Sequence, residues 1–229
     1  MVLRALLPEH HLSQDSKDTV KLGMGLIGTI TALVLGLLVA SAKSSFDAQR
    51  NGLAQLSANL ILLDRILAHY GSDTKEIREQ LQQTVVMMID QIWPEDRARA
   101  GHVEPTTDSE SLYEQIQGLS PRTESQRSLQ VAALKTGVDV AQARWLLFAQ
   151  KSSAIPTPFL VILVFWLALL FASFSMFSRP NATVVVTLLL CALSVSAAIF
   201  LILELDRPFG GLIQLSSDPL RRVLEQLGR

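Results

Sequence analysis

The chain has 229 residues, 49% hydrophobic and only 18% charged, against about 25% charged in an ordinary soluble domain. Its 20 Lys and Arg against 21 Asp and Glu leave a net charge of −1, which argues against a dedicated nucleic-acid binder. One cysteine, Cys191, excludes an intrachain disulfide framework and a cysteine-rich zinc site, and composition excludes a disordered chain or a small secreted scaffold; a small membrane protein remains.

In chain order, residues 1–21 form an N-terminal polar segment. Leu22 to Ala42 then holds no ionisable residue between Lys21 and Lys43. This run is long enough to cross a hydrocarbon core of about 30 Å as a helix. Its six Leu, two Ile and two Val favour insertion by roughly 3–6 kcal/mol. A cleaved signal peptide is the rival reading, with Lys17 and Lys21 as its basic region and Ala40-Ser41-Ala42 as a cleavage site. The apolar run is longer than the usual 7–15 or so residues of such a peptide. Gly23-Met24-Gly25-Leu26-Ile27-Gly28 matches G-x-G-x-x-G, but no strand precedes it and a membrane span follows, so it is not a dinucleotide fingerprint. The informative pattern is Gly28, Ala32, Gly36 and Ala40, with Gly25 nearby. Such small-residue ribbons let membrane helices approach closely, which marks span one as a packing helix at the centre of a bundle or oligomer.

Residues 43–152 read as a helical extramembrane domain. Phe46, Leu53, Leu60 and Leu67 recur every seven residues, and Gln49, Leu56, Leu63 and Tyr70 fill the second seam position. That is an a/d heptad pattern with one polar member. Gly71 is the expected terminator. Asp73 with Glu76 offers a start for the next helix, whose stripe is Ile77, Leu81, Val85, Met88 and Ile92, ended by Pro94. Glu95 to Ser111 is a polar loop, followed by a short helix with Leu112, Ile116 and Leu119. Ser120-Pro121 reads as a cap and first helical residue. The helix after it carries Val131, Leu134, Val138, Ala141, Trp145 and Phe148, again at a and d positions. Both flanking helices lead into spans, so a stalk continuous with the membrane helices is expected. Its seams pack within one subunit, between subunits, or both.

Residues 153–178 and 181–203 are the second and third spans, with Pro156 and Pro158 predicting a kink before the second. Ser178-Arg179-Pro180-Asn181 joins them as an antiparallel hairpin. Thr183, Thr187, Cys191, Ser194 and Ala198 lie near one face of span three, where they pack or contact a polar path. Residues 204–229 hold a juxtamembrane motif, Glu204, Asp206, Arg207, Pro208 and Phe209, then a C-terminal amphipathic helix capped by Ser217-Asp218-Pro219. Glu204 and Asp206 either cap or pair with Arg207, bind a cation, or couple stalk to spans.

With three spans, the long loop and the C-terminus share a side. Near the membrane that side carries Lys43, Arg50, Arg144, Lys151, Arg207, Arg221 and Arg222, against Arg4, Lys17, Lys21 and Arg179 on the other. The bias places the helical domain in the cytoplasm. No span contains Asp, Glu, Lys or Arg, which weighs against a carboxylate-coupled pump or transporter but is compatible with a hydrophobically gated channel. His10-His11 beside Glu9 is too sparse for a metal site, and Asn181-Ala182-Thr183 abuts a span. Ser-His-Asp, H-E-x-x-H and P-loop patterns are absent. The chain is therefore expected to have no catalytic residues, no resident metal and no cofactor.

The chain resembles the bacterial bestrophin-like family of inner-membrane proteins over nearly its whole length. The residues that carry this are Ala42 to Phe46, Leu63-Asp64-Arg65, Trp93-Pro94, Arg144, Pro156-x-Pro158, and above all Leu205-Asp206-Arg207-Pro208-Phe209 with Ser216-Ser217-Asp218-Pro219-Leu220. Family members typically carry one more membrane helix before this start, which would put both ends in the cytoplasm. The resemblance implies an all-α membrane protein, a homo-oligomer in the lipid bilayer, and by analogy with the pentameric bestrophins an anion channel with span one as the pore helix. The dense acidic cluster with which bestrophins bind calcium is reduced here to Glu204 and Asp206, so calcium gating is not implied. The other reading is a non-conducting scaffold or sensor that engages an unidentified protein partner through its helical domain.

Overall fold

The computed structural model describes residues 14–93, 108–149, 157–177 and 181–227. Among these, the order is α1 (Gln14–Tyr70), a 3-10 turn (Ser72–Thr74), α2 (Lys75–Ile92), α3 (Asp108–Gln117), α4 (Glu124–Ala149), α5 (Thr157–Phe177), α6 (Ala182–Leu205) and α7 (Asp218–Gln226). The fold is all-helical. Pro94, most of the 95–111 loop, Lys151, Pro156 and the 178–180 turn lie outside the described residues. The chain divides into two compact units. One comprises residues 1–45 and 153–206, the other residues 46–152 and 207–229.

The first unit contains helices long and apolar enough to cross a membrane: the N-terminal part of α1, then α5 and α6. Pro158 sits in the first turn of α5, where its missing N–H costs nothing. Few residues of these helices are buried within the single chain. Their apolar side chains therefore face lipid or other protein rather than a core of their own. Thr187 and Ser194 on α6 donate to the carbonyls of Thr183 and Leu190, each at 2.9 Å. The hydroxyls at those two positions are thus satisfied inside the helix.

The second unit has the hydrophobic core. Leu53, Leu56, Leu60, Leu63 and Leu67 of α1 are buried, as is Gln49, so the heptad seam is the core-facing stripe of this helix. Ile77, Leu81, Val85, Met88 and Ile92 of α2 join them, with Leu112 and Ile116 of α3 and Leu220, Val223 and Leu227 from the C-terminal segment. Each fully buried leucine contributes about 1.5–3 kcal/mol.

The turn from α1 to α2 depends on two residues. Gly71 has φ 127° and ψ −168°, a region essentially restricted to glycine. Thr74 is buried, and its hydroxyl donates to the carbonyl of Leu67 at 2.6 Å, with Gly71 O 2.8 Å away as a second acceptor. The helix start therefore falls at Thr74, and its hydroxyl serves the end of α1 rather than capping α2. The expected Asp73 start is not used; Asp73 instead lies 3.9 Å from Arg122. Tyr70 places its hydroxyl in the core with no hydrogen-bond partner among the described residues. A buried hydroxyl without a partner costs about 1–3 kcal/mol. Tyr70→Phe should leave the melting temperature unchanged or raise it; a fall measured by thermal unfolding in detergent would show a partner for that hydroxyl.

Helix α4 begins at Glu124, not at Pro121. Thr123 accepts from the N–H of Gln126 at 3.1 Å, and Gln126 accepts from the N–H of Arg122 at 2.8 Å, a reciprocal arrangement three residues after the expected Ser120 cap. The first turns of α4 also satisfy the ends of other helices. Gln126 donates to the carbonyl of Tyr70, and Gln130 donates to those of Ile116 and Leu119, groups that a helix terminus leaves without partners.

The face of α4 differs from its expected register. Ala133, Thr136, Val140, Arg144 and Leu147 are buried. The predicted a positions Val131, Val138 and Trp145 are 63%, 51% and 56% exposed. Leu134, Ala141 and Phe148 are half-buried. The inward stripe is smaller and more polar than the outward one, so side-chain size alone selects the wrong face.

Candidate functional site

Two places carry the residues singled out by sequence: span one on α1, and the segment after α6. On span one, the buried positions are Met24, Thr31, Leu38 and Ala42, spaced by seven, seven and four residues and therefore on one side of the helix. Thr31 donates to the carbonyl of Ile27 at 2.7 Å, and Thr29 to that of Gly25 at 2.9 Å. The small-residue ribbon lies elsewhere. Gly25, Ala32, Gly36 and Ala40 are exposed, and Gly28 is half-buried at the edge of the inward stripe. A step of four residues advances about 40° around a helix. From Gly28 to Ala40 the ribbon thus winds from the edge of the buried stripe toward the opposite face.

A Cβ added at Gly25, Gly28 or Gly36 would meet nothing within 4 Å. These glycines are not needed for close approach inside this subunit. Leu22, Leu26, Leu33 and Leu37 are exposed beside the ribbon. The outward side of span one is therefore a strip of small residues bordered by leucines.

After α6, Glu204 and Asp206 are half-buried, and both take part in polar or electrostatic interactions. Among the described residues no three His, Cys, Asp or Glu side chains come together as a metal-binding group. The rest of the motif belongs to the second unit and forms a closed loop. Gly210 N–H donates to Arg207 O at 3.2 Å, and Leu215 N–H to Pro208 O at 2.8 Å. Pro208 is buried, Phe209 half-buried and Arg207 exposed. Trp93, at the end of α2, holds this loop twice. Its indole N–H donates to Leu215 O at 2.8 Å, and its ring meets Phe209 edge-on, centroids 5.7 Å apart at 77°. The following helix, α7, starts with Asp218 N–H on the Ser216 hydroxyl at 3.1 Å. Ser217 occupies the cap position as expected, followed by the helix-start proline, but makes no side-chain bond of its own. Leu220 and Val223 face the core, and Arg221 and Arg222 face outward.

The loop is held by geometry that a single substitution can test. Trp93→Phe keeps an aromatic edge for Phe209 and deletes the N–H, leaving Leu215 O without that donor. The expected cost is about 1–3 kcal/mol, read as a lower melting temperature with the same subunit number.

Three charged residues that sequence reasoning did not place as functional are central to this unit. Asp64 accepts two hydrogen bonds from Arg78, at 2.6 Å from Nε and 3.0 Å from Nη2. Arg78 lies across the turn on α2, and this hydrogen bond holds its pKa above the ordinary arginine value. Arg144 is buried on α4 with its guanidinium 5.7 Å from the centre of the Phe148 ring. It borders a cavity of about 30 Å³ among Leu60, Leu81, Met88 and Ile116, room for a water rather than a substrate. Leu63-Asp64-Arg65 thus divides by role: Asp64 turns inward and Arg65 stays exposed.

Among curated proteins, none matches this chain. Among solved structures, a bacterial bestrophin homologue from Klebsiella pneumoniae superposes with a TM-score of 0.68 at 17% identity, covering 90% of this chain and 87% of that one. A second point-mutant structure of that homologue gives 0.67 at the same identity and coverage. A crystal structure described as a membrane protein gives 0.68 at 15% identity, covering 100% of this chain and 97% of that one. These likenesses show a shared fold. The bestrophin-like domain profile matches residues 1–220, and the chain belongs to the bestrophin-like family of membrane proteins.

Proposed function

We propose that this protein is a homo-oligomeric channel of the bacterial inner membrane that conducts anions along a path lined by the outward side of α1. Three helices span the bilayer, and the second unit forms a cytoplasmic helical stalk. The observation that carries this reading is the open ribbon on span one. Gly25, Gly28 and Gly36 leave space where their own subunit puts nothing, while Met24, Thr31, Leu38 and Ala42 form the inward stripe from whose edge the ribbon winds away. A helix with one side packed and a narrow, small-residue side open is suited to close packing around a central axis. The bordering leucines would supply a hydrophobic constriction. The bias of seven Lys and Arg against four supports the cytoplasmic placement. Trp93, Phe209 and the loop they hold fix the segment that leaves the last span; they position and do not bind the ion.

The test is chloride efflux from vesicles of phosphatidylethanolamine and phosphatidylglycerol containing the purified protein. Efflux above protein-free vesicles is expected. Potassium efflux without chloride efflux would overturn the anion assignment. Absence of both at every voltage would favour a non-conducting scaffold.

A further inference from the structure

We propose that the outer seam of α4 docks on the outer face of α2 of a second copy of this chain, an interface that rests on the homo-oligomer proposed above. The seam comprises Val131, Val138 and Trp145, exposed at seven-residue spacing, with Leu134, Ala141 and Phe148 half-buried beside them. Val131, Val138 and Trp145 lie outside the stripe that α4 buries in its own subunit, whereas Leu134 and Phe148 pack against that subunit's core. Helix α4 therefore carries exposed apolar residues beyond what its own chain covers. Strict a/d spacing over three turns of the repeat is the pattern that receives another helix.

Lipid does not fit this face. Arg127, Lys135 and Asp139 are exposed alongside it, and charges on a lipid-facing helix are costly. A protein helix of opposite charge does fit. Arg127 and Lys135 flank Val131 on the seam, with Glu124 a turn earlier. On α2, Glu79, Val86 and Asp90 lie on one outward line, with Glu76 and Met87 next to it. Val86 and Met87 are the exposed large apolar residues of that helix, and Lys75 approaches Glu79 only to 4.0 Å. A surface groove of about 310 Å³ runs beside Met87 with Glu76 and Glu79 on its rim. One copy thus presents Val131 between the basic Arg127 and Lys135, and another presents Val86 between the acidic Glu79 and Asp90. Two different patches meeting in this way make a head-to-tail contact, the kind that closes rings, and opposite charge sets its register.

The test uses full-length protein in native membranes with Cys191→Ser as background. Val86→Cys and Val131→Cys are introduced together, both at exposed positions, and a short bis-maleimide is added. The expected result is a ladder of bands at multiples of the 25.2 kDa chain, absent from either single-cysteine chain. A defined oligomer by native mass spectrometry without the ladder would overturn this interface and leave the channel reading intact. A dimer from Val131→Cys alone would overturn it in favour of a seam-to-seam contact. A monomer by mass would overturn both.

Discussion

Asp64→Ala should lower the stability of the helical unit by about 3–5 kcal/mol, because it leaves the Arg78 guanidinium partly buried without its counter-charge. The Asp64 side chain is 3% exposed and that of Arg78 is 22% exposed, so little water reaches the pair. The two hydrogen bonds join α1 to α2 across the turn at Gly71. The double variant Asp64→Leu with Arg78→Met removes both charges and fills similar volume. It should recover most of the loss, since replacing a buried pair by apolar residues is often neutral or better. Thermal unfolding of the three proteins in one detergent reads the difference. Equal destabilisation by the single and double variants would show that shape, not charge, matters there. The pH dependence follows from Arg78. A base whose folded pKa is raised contributes stability that is fully present below its unfolded pKa and is lost only as pH rises through the folded one. From the Arg78 side, stability is therefore flat across the neutral and mildly alkaline range.

Gly36→Glu is the second large effect. Its outward position and the open space around it make room for the side chain without displacing the subunit's own packing. In a homo-oligomer the substitution places a ring of carboxylates on the proposed path. At an effective dielectric near 20, like charges about 4 Å apart repel by about 4 kcal/mol, and each 1.4 kcal/mol of barrier is about tenfold in rate. Chloride efflux should fall by at least about tenfold while the oligomer remains. Gly36→Gln adds nearly the same volume without charge and should lose much less. Equal losses from both variants would assign Gly36 to helix packing instead of the ion path.

What could be read from sequence depended on how far size and periodicity agreed. On α1 they agreed. Leu53, Leu56, Leu60, Leu63 and Leu67 are large, apolar and regularly spaced, and they are buried. On α4 they disagreed, because the core-facing stripe includes Ala133, Thr136 and Arg144 while Val131 and Trp145 face out. A helix that carries large apolar residues on its exposed side as well as its buried one cannot be assigned from one chain's pattern, since periodicity alone does not say which side its own core covers. Asp64 and Arg78 were invisible as a pair because a turn of unknown geometry separates them. The same holds for Trp93 and Leu215, which only the fold brings together. Cap residues fell within a few positions of their predicted places, as expected where neighbouring Ser, Thr and Pro compete for the same helix end. The small-residue ribbon was visible as a pattern, but its direction was not. That Gly36 and Ala40 face outward depends on which side of α1 its own chain covers.

Native mass spectrometry of the purified protein in mild detergent tests the central claim most directly. A pore around α1 requires several copies about one axis, so a single closed oligomer of three or more chains is the expected result, with a pentamer matching the bestrophin analogy. A monomer or a dimer would leave no central space for the outward ribbon of α1 and would contradict the channel reading.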